Sequence, residues 1–230
     1  SSFKSKLRDS ELDFKSAISK SGLNIIAEIK KASPSQGIIR RDFDYVDIAR
    51  VYAECNVSAI SVLTEKKYFQ GDISFLREIK IAVKNIPLLR KDFIIDDYQI
   101  FESRYYDADA ILLIAGLLDR KEIRRFISIA KEYSMGCLVE VHNAEELENA
   151  IESDAEIIGI NNRDLNTFRI NKSTTEMLIK IIPKNKIIVA ESGYETKEEI
   201  ERLKGKVNAV LIGTSLMKEK DIKVKLMSLV

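Results

Sequence analysis

Charged side chains recur in this sequence at one kind of place, directly at the end of a short apolar run. The stretch IIAEIKKASPS carries Glu28 and Lys30 where a buried strand should still continue. Two later runs end in the same way, with Lys91 in LLRKDF and Glu140 in LVEVH. A carboxylate beside an ammonium can move protons, since one group accepts and the other donates. The pattern therefore predicts acid–base chemistry, provided that the fold brings these strand ends together.

Further polar groups follow the later apolar runs. Asn161 and Arg163 stand in GINNRD, and Glu191 stands in VAESG. Residues two apart on a strand point the same way, so Asn161 and Arg163 are expected to face one pocket together, as are Glu28 and Lys30. The structural alternative is a salt-bridge network that only stabilises the fold. Buried ion pairs stabilise poorly compared with apolar residues of equal size, so the set as a whole favours a functional site.

Two motifs near the C-terminus combine small and hydroxyl residues. ESG contains Ser192 and Gly193, and GTS contains Gly213 and Thr214. Glycine lets the backbone approach a ligand closely, and N–H groups at such turns bind phosphate. Ser33 in the first loop could add a hydroxyl. GTS alone could equally be the N-cap of a final helix, but the two motifs together predict a phosphate site.

The elements that must position these residues alternate along the chain. Apolar runs predict strands at 25–29, 59–63, 87–89, 110–114, 137–141, 157–160, 187–190 and 209–212. Amphipathic patterns predict helices at 45–54, 73–83, 97–106, 120–133, 144–152, 173–182, 197–203 and 223–229. Continuous apolar strands are buried on both faces, as in a parallel sheet covered by helices.

Eight strand–helix units predict an α/β fold, the (β/α)8 TIM barrel, in which all strand C-termini meet at one rim. An open doubly wound sheet is the alternative, but it usually has fewer strands and often carries a GxGxxG turn, which this sequence lacks. The segment DSELDFKSAISKSG predicts an additional N-terminal helix, with Ser10 as N-cap, Asp13 in the first turn and Gly22 just past the end. Its Phe14 and Ile18 could cover one mouth of the barrel. We expect one domain over 1–230, with 1–23 as a helical extension.

Composition excludes several classes of partner. The 230 residues carry a net charge of +1, which is too small to attract nucleic acid or an anionic membrane electrostatically. The longest apolar run, ILLIAGLL, is far below the roughly 20 residues of a spanning helix, and the first residues lack the apolar region of a secretory signal. Cys55, Cys137 and the lone His142 have no familiar zinc spacing. We expect a cytoplasmic monomer without a metal, nucleic-acid or membrane partner.

Seven of these segments, taken in order, resemble the motifs of the indole-3-glycerol-phosphate synthase family. They are IIAEIKKASPS, SVLTEKKYFQG, LLRKDFII, LVEVHN, IIGINNRDL, VAESG and LIGTSLM, and they cover the chain from about Ile25 to its end. The resemblance implies a carboxy-lyase of tryptophan biosynthesis. Such an enzyme converts 1-(2-carboxyphenylamino)-1-deoxyribulose 5-phosphate to indole-3-glycerol phosphate, releasing carbon dioxide and water, without a metal or organic cofactor.

The resemblance also implies roles for the charged residues. Lys91 matches the principal general acid of ring closure, and Glu140 matches the residue assigned to the dehydration step. Lys30 would bind the anthranilate carboxylate or share the acid role. Glu28 would hold the lysines in position and is a second candidate base. Asn161 completes the expected catalytic set.

The remaining matched positions are implied to bind substrate. For the body of the substrate they are Arg163, Glu191, Ser192, Phe69 and Phe93, and for the phosphate they are Ser33, Gly193, Gly213 and Thr214. Asn161 and Arg163 would hold substrate oxygens and carboxyl groups, while Glu191 would contact hydroxyls. Phe69 and Phe93 would form an apolar wall for the aromatic ring, unless they are ordinary core residues.

Two other functions stay open on the residues alone. Lys91 could form a Schiff base with a carbonyl substrate, as in a phosphate-binding aldolase barrel. A barrel that binds a phosphorylated metabolite without catalysis is the third hypothesis, although such a module needs neither Lys91 nor Glu140. The chain departs from the family in having little helical sequence before its first strand. It also departs in having Tyr194 after ESG and Arg90 before Lys91, neither of which alters a catalytic position.

Overall fold

Eight parallel strands close into a barrel in the computed structural model, which describes residues 7–165 and 167–229. They are β1 (Asn24–Ile29), β2 (Ala59–Leu63), β3 (Leu88–Lys91), β4 (Ala110–Ile114), β5 (Gly136–Val141), β6 (Ile157–Asn161), β7 (Ile187–Glu191) and β8 (Ala209–Ile212). Neighbours in chain order pair in parallel, and β1 pairs with both β2 and β8, which closes the ring. The predicted (β/α)8 barrel is confirmed.

One helix precedes the first strand, and the other helices follow the strands around the outside of this barrel. They are α1 (Phe14–Ala17), α2 (Tyr45–Glu54), α3 (Ser74–Ala82), α4 (Asp97–Tyr105), α5 (Arg120–Glu132), α6 (Ala144–Glu152), α7 (Ser173–Leu178), α8 (Lys197–Glu201), α9 (Thr214–Lys218) and α10 (Ile222–Leu229). Over 7–165 and 167–229, none of the helices combines the length and the apolar character that crossing a bilayer requires.

Several predicted bounds differ from the structure. The strand predicted at 87–89 runs two residues further, so that Lys91 is its last residue. The helices predicted at 173–182 and 197–203 end earlier, at Leu178 and Glu201; the first of them precedes Pro183, which disfavours helical backbone just before it. The sequence patterns missed α9 and a small antiparallel hairpin after β1, of Ala32–Ser33 and Gly37–Ile38, because both are too short to show a period.

Polar N-caps fix where the loops at the rim end and the helices begin. The side chains that accept a first-turn N–H are those of Asp44, Asp96, Asp119, Asn143 and Thr196, ahead of α2, α4, α5, α6 and α8. Three of these ends are closed reciprocally by a glutamine or glutamate three residues later. The caps therefore define the lengths of the loops that surround the strand C-termini.

The barrel interior changes from apolar to charged along the strands. Ile26, Leu89, Leu138 and Val189 belong to the apolar core inside the barrel. Two positions further on, the same four strands carry Glu28, Lys91, Glu140 and Glu191. Because alternate residues of a strand share a face, this charged layer lies directly beyond the apolar layer, toward the strand C-termini.

The N-terminal segment covers the opposite end of the barrel. Phe14 and Ile18 are fully buried and pack with the interior core, including Leu138, so the predicted cover is confirmed. The contact is close: a Cβ at Gly136, the first residue of β5, would lie 3.3 Å from the Cβ of Phe14.

The predicted extent of that helix and its N-cap are wrong. The helix is only Phe14–Ala17, and its N-cap is Asp13, which accepts from the backbone N–H of Ser16 at 3.0 Å. Ser10 does not cap a helix, because its hydroxyl donates to Asp109 Oδ1 at 2.8 Å and ties the chain to the barrel. Gly22, at φ 93°, lies in the turn that leads into β1 and does not follow a helix end directly.

Candidate active site

One cavity of about 560 Å³ opens at the C-terminal ends of the barrel strands, and we call it the mouth cavity. Its volume lies in the range of small-molecule sites. All fourteen site residues expected from the sequence line it. They are Glu28, Lys30, Ser33, Phe69, Lys91, Phe93, Glu140, Asn161, Arg163, Glu191, Ser192, Gly193, Gly213 and Thr214.

Lys91 is held between two carboxylates at the bottom of the mouth cavity. Its Nζ donates to Glu140 Oε2 at 2.9 Å and to Glu191 Oε2 at 2.8 Å. All three side chains are nearly buried. Burial of the ammonium works against its charged form, but Glu140, Glu191 and Glu28 outweigh it and raise the pKa of Lys91 above its usual value. Lys91 is therefore a charged donor at neutral pH.

The two carboxylates differ because their second oxygens have different neighbours. Burial alone would raise the pKa of Glu140, but Lys91 and His142 hold that pKa below its usual range. Glu140 Oε1 also accepts from Asn161 Nδ2 at 3.1 Å. Burial raises the pKa of Glu191 to about 7 against the pull of Lys91, and its Oε1 has no hydrogen-bond partner among the described residues. Glu140 is thus the ionised base at neutral pH, while Glu191 titrates close to neutrality.

Glu28 and Lys30 form a second ion pair on the same side of the mouth cavity. Lys30 Nζ lies 2.5 Å from Glu28 Oε1, and Glu28 is 2% exposed. The end of β1 is anchored from outside the barrel, where the buried Tyr52 hydroxyl donates to the carbonyl oxygen of Glu28 at 3.0 Å. This pair places a second ammonium in the lining of the cavity that contains Lys91.

Two glycines make room for the buried carboxylates. A Cβ at Gly159, in the middle of β6, would collide with Oε1 of Glu191. A Cβ at Gly213 would collide in the same way with Oε1 of Glu28. The sequence analysis expected Gly213 only at the phosphate and missed Gly159. A signal for Gly159 was present, since an isolated glycine inside the apolar run IIGI indicates a close approach by another group.

Asn161 and Arg163 are linked through the backbone at the end of β6. Arg163 N donates to Asn161 Oδ1 at 2.9 Å, which orients the Asn161 amide toward Glu140. The Arg163 guanidinium donates to the carbonyl oxygen of Phe168 at 2.9 Å and lines the mouth cavity. Asn161 thus positions a carboxylate, and Arg163 offers a cation at the wall.

The loops after β7 and β8 have the backbone shape expected of an anion cradle. Ser192 and Gly193 have positive φ values of 65° and 90°. Thr214 is the first residue of α9, so N–H groups without helical partners begin there. The hydroxyl of Ser215, which the sequence analysis did not single out, is buried in the cavity wall without a hydrogen-bond partner in the described chain. Ser33 also lines the cavity, in the hairpin after β1, the strand that pairs with β8.

An apolar wall faces these polar groups. The rings of Phe69 and Phe93 are 6.5 Å apart between centroids and tilted by 54°. Phe93 is 38% exposed, so it is not an ordinary core residue. The wall continues with Leu112 and Ile114 of β4, and it offers a flat aromatic ligand a surface from which water is excluded.

The two residues that depart from the family pattern are structural. Arg90 points away from the cavity, is 4% exposed and donates to Glu102 Oε2 of α4 at 3.0 Å, which fixes that helix behind Lys91. The Tyr194 hydroxyl donates to Thr175 Oγ1 at 3.1 Å and accepts from Asn162 Nδ2 at 3.0 Å. Tyr194 therefore anchors the loop after β7 to α7.

Comparison with known proteins points to one family. A family model described as indole-3-glycerol phosphate synthase matches residues 1–229. A protein of that name from Endomicrobium trichonymphae is 50% identical over 236 aligned positions, covering 99% of this chain and 91% of its own. Another from Thermoanaerobacter pseudethanolicus is 53% identical over 207 positions, covering 90% of this chain and 79% of its own. The solved structure of KGPDC from Streptococcus mutans superposes on this one with a TM-score of 0.69 and a sequence identity of 9%. The superposition covers 90% of this chain and 95% of that chain, and at this identity it shows a shared fold alone.

Proposed function

Because this chain belongs to the indole-3-glycerol phosphate synthase family, we propose that its mouth cavity closes the indole ring of 1-(2-carboxyphenylamino)-1-deoxyribulose 5-phosphate. The enzyme is a carboxy-lyase that acts on a phosphorylated small molecule, and its product is indole-3-glycerol phosphate. The observation that carries the proposal is Lys91 held between Glu140 and Glu191 in that cavity. This arrangement supplies a charged proton donor and an ionised base within one small space.

Ring closure needs a positive donor beside the substrate's ketone. The aromatic carbon that bears the carboxylate attacks the ketone carbon, and the ketone oxygen gains negative charge. That alkoxide is more basic than an amine, so Lys91 can protonate it despite its raised pKa. Before the transfer, the ammonium, held among largely buried side chains, stabilises the developing charge.

Loss of carbon dioxide follows, because ring closure leaves the carboxylate on a carbon that is no longer aromatic. Breaking the carbon–carboxylate bond returns its electron pair to the ring and restores aromaticity. Lys30 and Arg163 line the cavity as cations for this carboxylate. The final dehydration removes one proton from the new ring and expels the hydroxyl as water. Glu140 is the proposed base for that proton, and an ammonium protonates the leaving hydroxyl.

The Schiff-base alternative is not favoured by this geometry. A lysine must be neutral to attack a carbonyl, but two carboxylates contact Lys91 and raise its pKa. Borohydride treatment in the presence of substrate, followed by mass spectrometry of the intact protein, tests this directly. An adduct on Lys91 would support the aldolase mechanism, whereas an unchanged mass supports the lyase mechanism.

The function is tested first by steady-state turnover of the carboxyphenylamino-deoxyribulose phosphate, followed through the fluorescence of the indole product. We expect turnover without added metal or cofactor. A folded protein that binds the product but yields none would support the non-catalytic alternative. Three expectations stay predictions: the cytoplasmic location, the monomeric state, and the single domain over 1–230 with 1–23 as an extension. Light scattering tests the monomeric state.

Thr214→Ala is expected to raise KM about tenfold with little change in kcat, because a hydrogen bond to a charged group is lost equally from ground and transition states. Steady-state kinetics measures both constants. Ser228→Ala, which removes a hydroxyl from the exposed face of α10, is the matched control and should leave both constants unchanged. An unaltered KM for Thr214→Ala would move the phosphate site elsewhere.

Gly159→Ala is expected to lower kcat on the order of 10²-fold, because its Cβ would push the Glu191 carboxylate away from Lys91. Ile158→Val removes one methyl group from the outward face of the same strand and serves as the control for β6 packing. Circular dichroism would show whether each variant folds. Wild-type kcat in a folded Gly159→Ala variant would mean that the position of Glu191 does not matter for turnover.

A further inference from the structure

His142 lies next to Glu140 but takes no part in the mechanism proposed above. It follows β5, two residues after Glu140, and its side chain is 12% exposed. Its Nε2 is 3.3 Å from Glu140 Oε1, and its Nδ1 is 2.9 Å from Glu146 Oε2. The imidazole therefore stands between two carboxylates, one in the mouth cavity and one on α6.

Glu146 is itself held in place by the start of α6. Its Oε2 also accepts from the backbone N–H of His142 at 2.8 Å, and its Oε1 accepts from Asn143 Nδ2 at 2.8 Å. Asn143 is the N-cap of α6 and accepts in return from the backbone N–H of Glu146 at 2.9 Å. The carboxylate that faces His142 thus makes three hydrogen bonds to one short loop, two with His142 and one with Asn143, which makes the arrangement rigid.

We propose that His142 is a positioning residue: Glu146 holds its imidazole beside Glu140 as a cation, and that charge keeps Glu140 ionised. The proposal rests on the proposed function, since it gives Glu140 the role of base. Nε2 of His142 makes no well-aligned hydrogen bond among the described residues, so its action on Glu140 is mainly electrostatic. The carboxylate orientation comes from Asn161 and Lys91 on the other strands.

The charges around this group agree with a cationic imidazole. Burial favours the neutral ring, but Glu140 and Glu146 outweigh it and raise the pKa of His142 to about 10. Glu140 in turn faces Lys91 of β3 and Glu191 of β7, and Glu28 of β1 acts on the same centre. Without the imidazolium, Lys91 would be the one remaining cation paired with Glu140 among the described residues, and protonation of Glu140 would become easier.

The single histidine of this chain allows a test that needs no substrate. Only one imidazole contributes to the NMR spectrum, so its pKa can be measured without assignment. We expect no titration of that signal between about pH 6 and pH 8.5, because the pKa of His142 lies at about 10. Titration near the ordinary value of about 6.5 would overturn the proposal. In Glu146→Gln the signal should titrate at lower pH than in the wild type.

Kinetics separates this role from a merely structural one. Glu140 and Glu191 titrate as a pair because both contact Lys91. In His142→Gln the acidic limb of the pH profile of kcat should therefore shift to higher pH by about one unit. At pH values below this shifted limb, the kcat of His142→Gln should be about tenfold lower than that of the wild type. Toward pH 9 the two values should become equal, and KM should change little. A loss of kcat that is equal at every pH would mean a structural role and overturn the proposal.

Glu146→Gln provides a second variant in case His142→Gln folds poorly. In this variant, too, the acidic limb of the pH profile of kcat should shift to higher pH. If neither this limb nor the NMR titration of His142 changes in Glu146→Gln, the proposal is overturned. Failure of the proposed function is recognised separately. In that case the wild type shows no turnover, while the NMR titration still reports whether His142 is held as a cation.

Discussion

Lys91→Met is expected to lower kcat by at least about 10²-fold, the usual contribution of a positioned general acid. Methionine has nearly the same length as lysine, so the variant removes the ammonium without opening a large space. The loss combines the missing proton donor with the missing charge beside the developing alkoxide. Single-turnover kinetics of ring closure, followed by quenching and chromatography of substrate, measures the affected step directly.

The control for Lys91→Met is Lys223→Met, which removes an exposed lysine of α10 paired with Glu54. It should leave kcat within a factor of about two, since an exposed ion pair contributes little. The acid limb of residual activity in Lys91→Met should also move to higher pH, because Glu140 and Glu191 lose the cation between them. Near-normal ring closure by a folded Lys91→Met protein would eliminate Lys91 as the acid.

Glu140→Gln is expected to slow the dehydration step by about 10²-fold and to let a hydroxyl-bearing intermediate accumulate. The amide has the shape of the carboxylate but cannot take a proton, so ring closure and decarboxylation should proceed first. Rapid quenching during a single turnover, followed by mass spectrometry, would detect a species that has lost carbon dioxide but still contains the water.

Glu148→Gln on the exposed face of α6 is the matched control for Glu140→Gln and should behave like the wild type. The distribution of intermediates decides the role of Glu140. Slow ring closure without any accumulated intermediate would show that Glu140 serves an earlier step, and Glu28 would then be the candidate base for dehydration.

The barrel and its mouth cavity could be predicted because their signals are local. Each strand is a short apolar run, and each polar site residue stands at the end of one, so the parallel (β/α)8 arrangement collects them without further information. Lys91 and Glu140 are 49 positions apart in the chain, yet each was recognisable from its own strand.

The missed features depend on contacts between distant segments. The local sequence predicts Ser10 as an N-cap, but one partner of its hydroxyl, Asp109, lies 99 positions away and cannot be recognised from the neighbouring residues. The need for glycine at 159 follows from the direction in which Glu191 extends from the neighbouring strand. The sequence excludes His142 as a zinc ligand by its spacing, and Glu146, four residues later, is the signal that points to an ion-pair partner for it.

Gly159 and Gly213 have a consequence for attempts to build this chemistry elsewhere. The carboxylates of Glu191 and Glu28 occupy space that these two glycines leave free, so the charged residues alone do not specify the site. A designer who transplanted only the lysines and glutamates onto another barrel would find the ammonium unpaired and the acids displaced into solvent. A successful design must include glycines at the positions of Gly159 and Gly213 as well as the charged residues, since the rigid placement of the carboxylates depends on the residues around them.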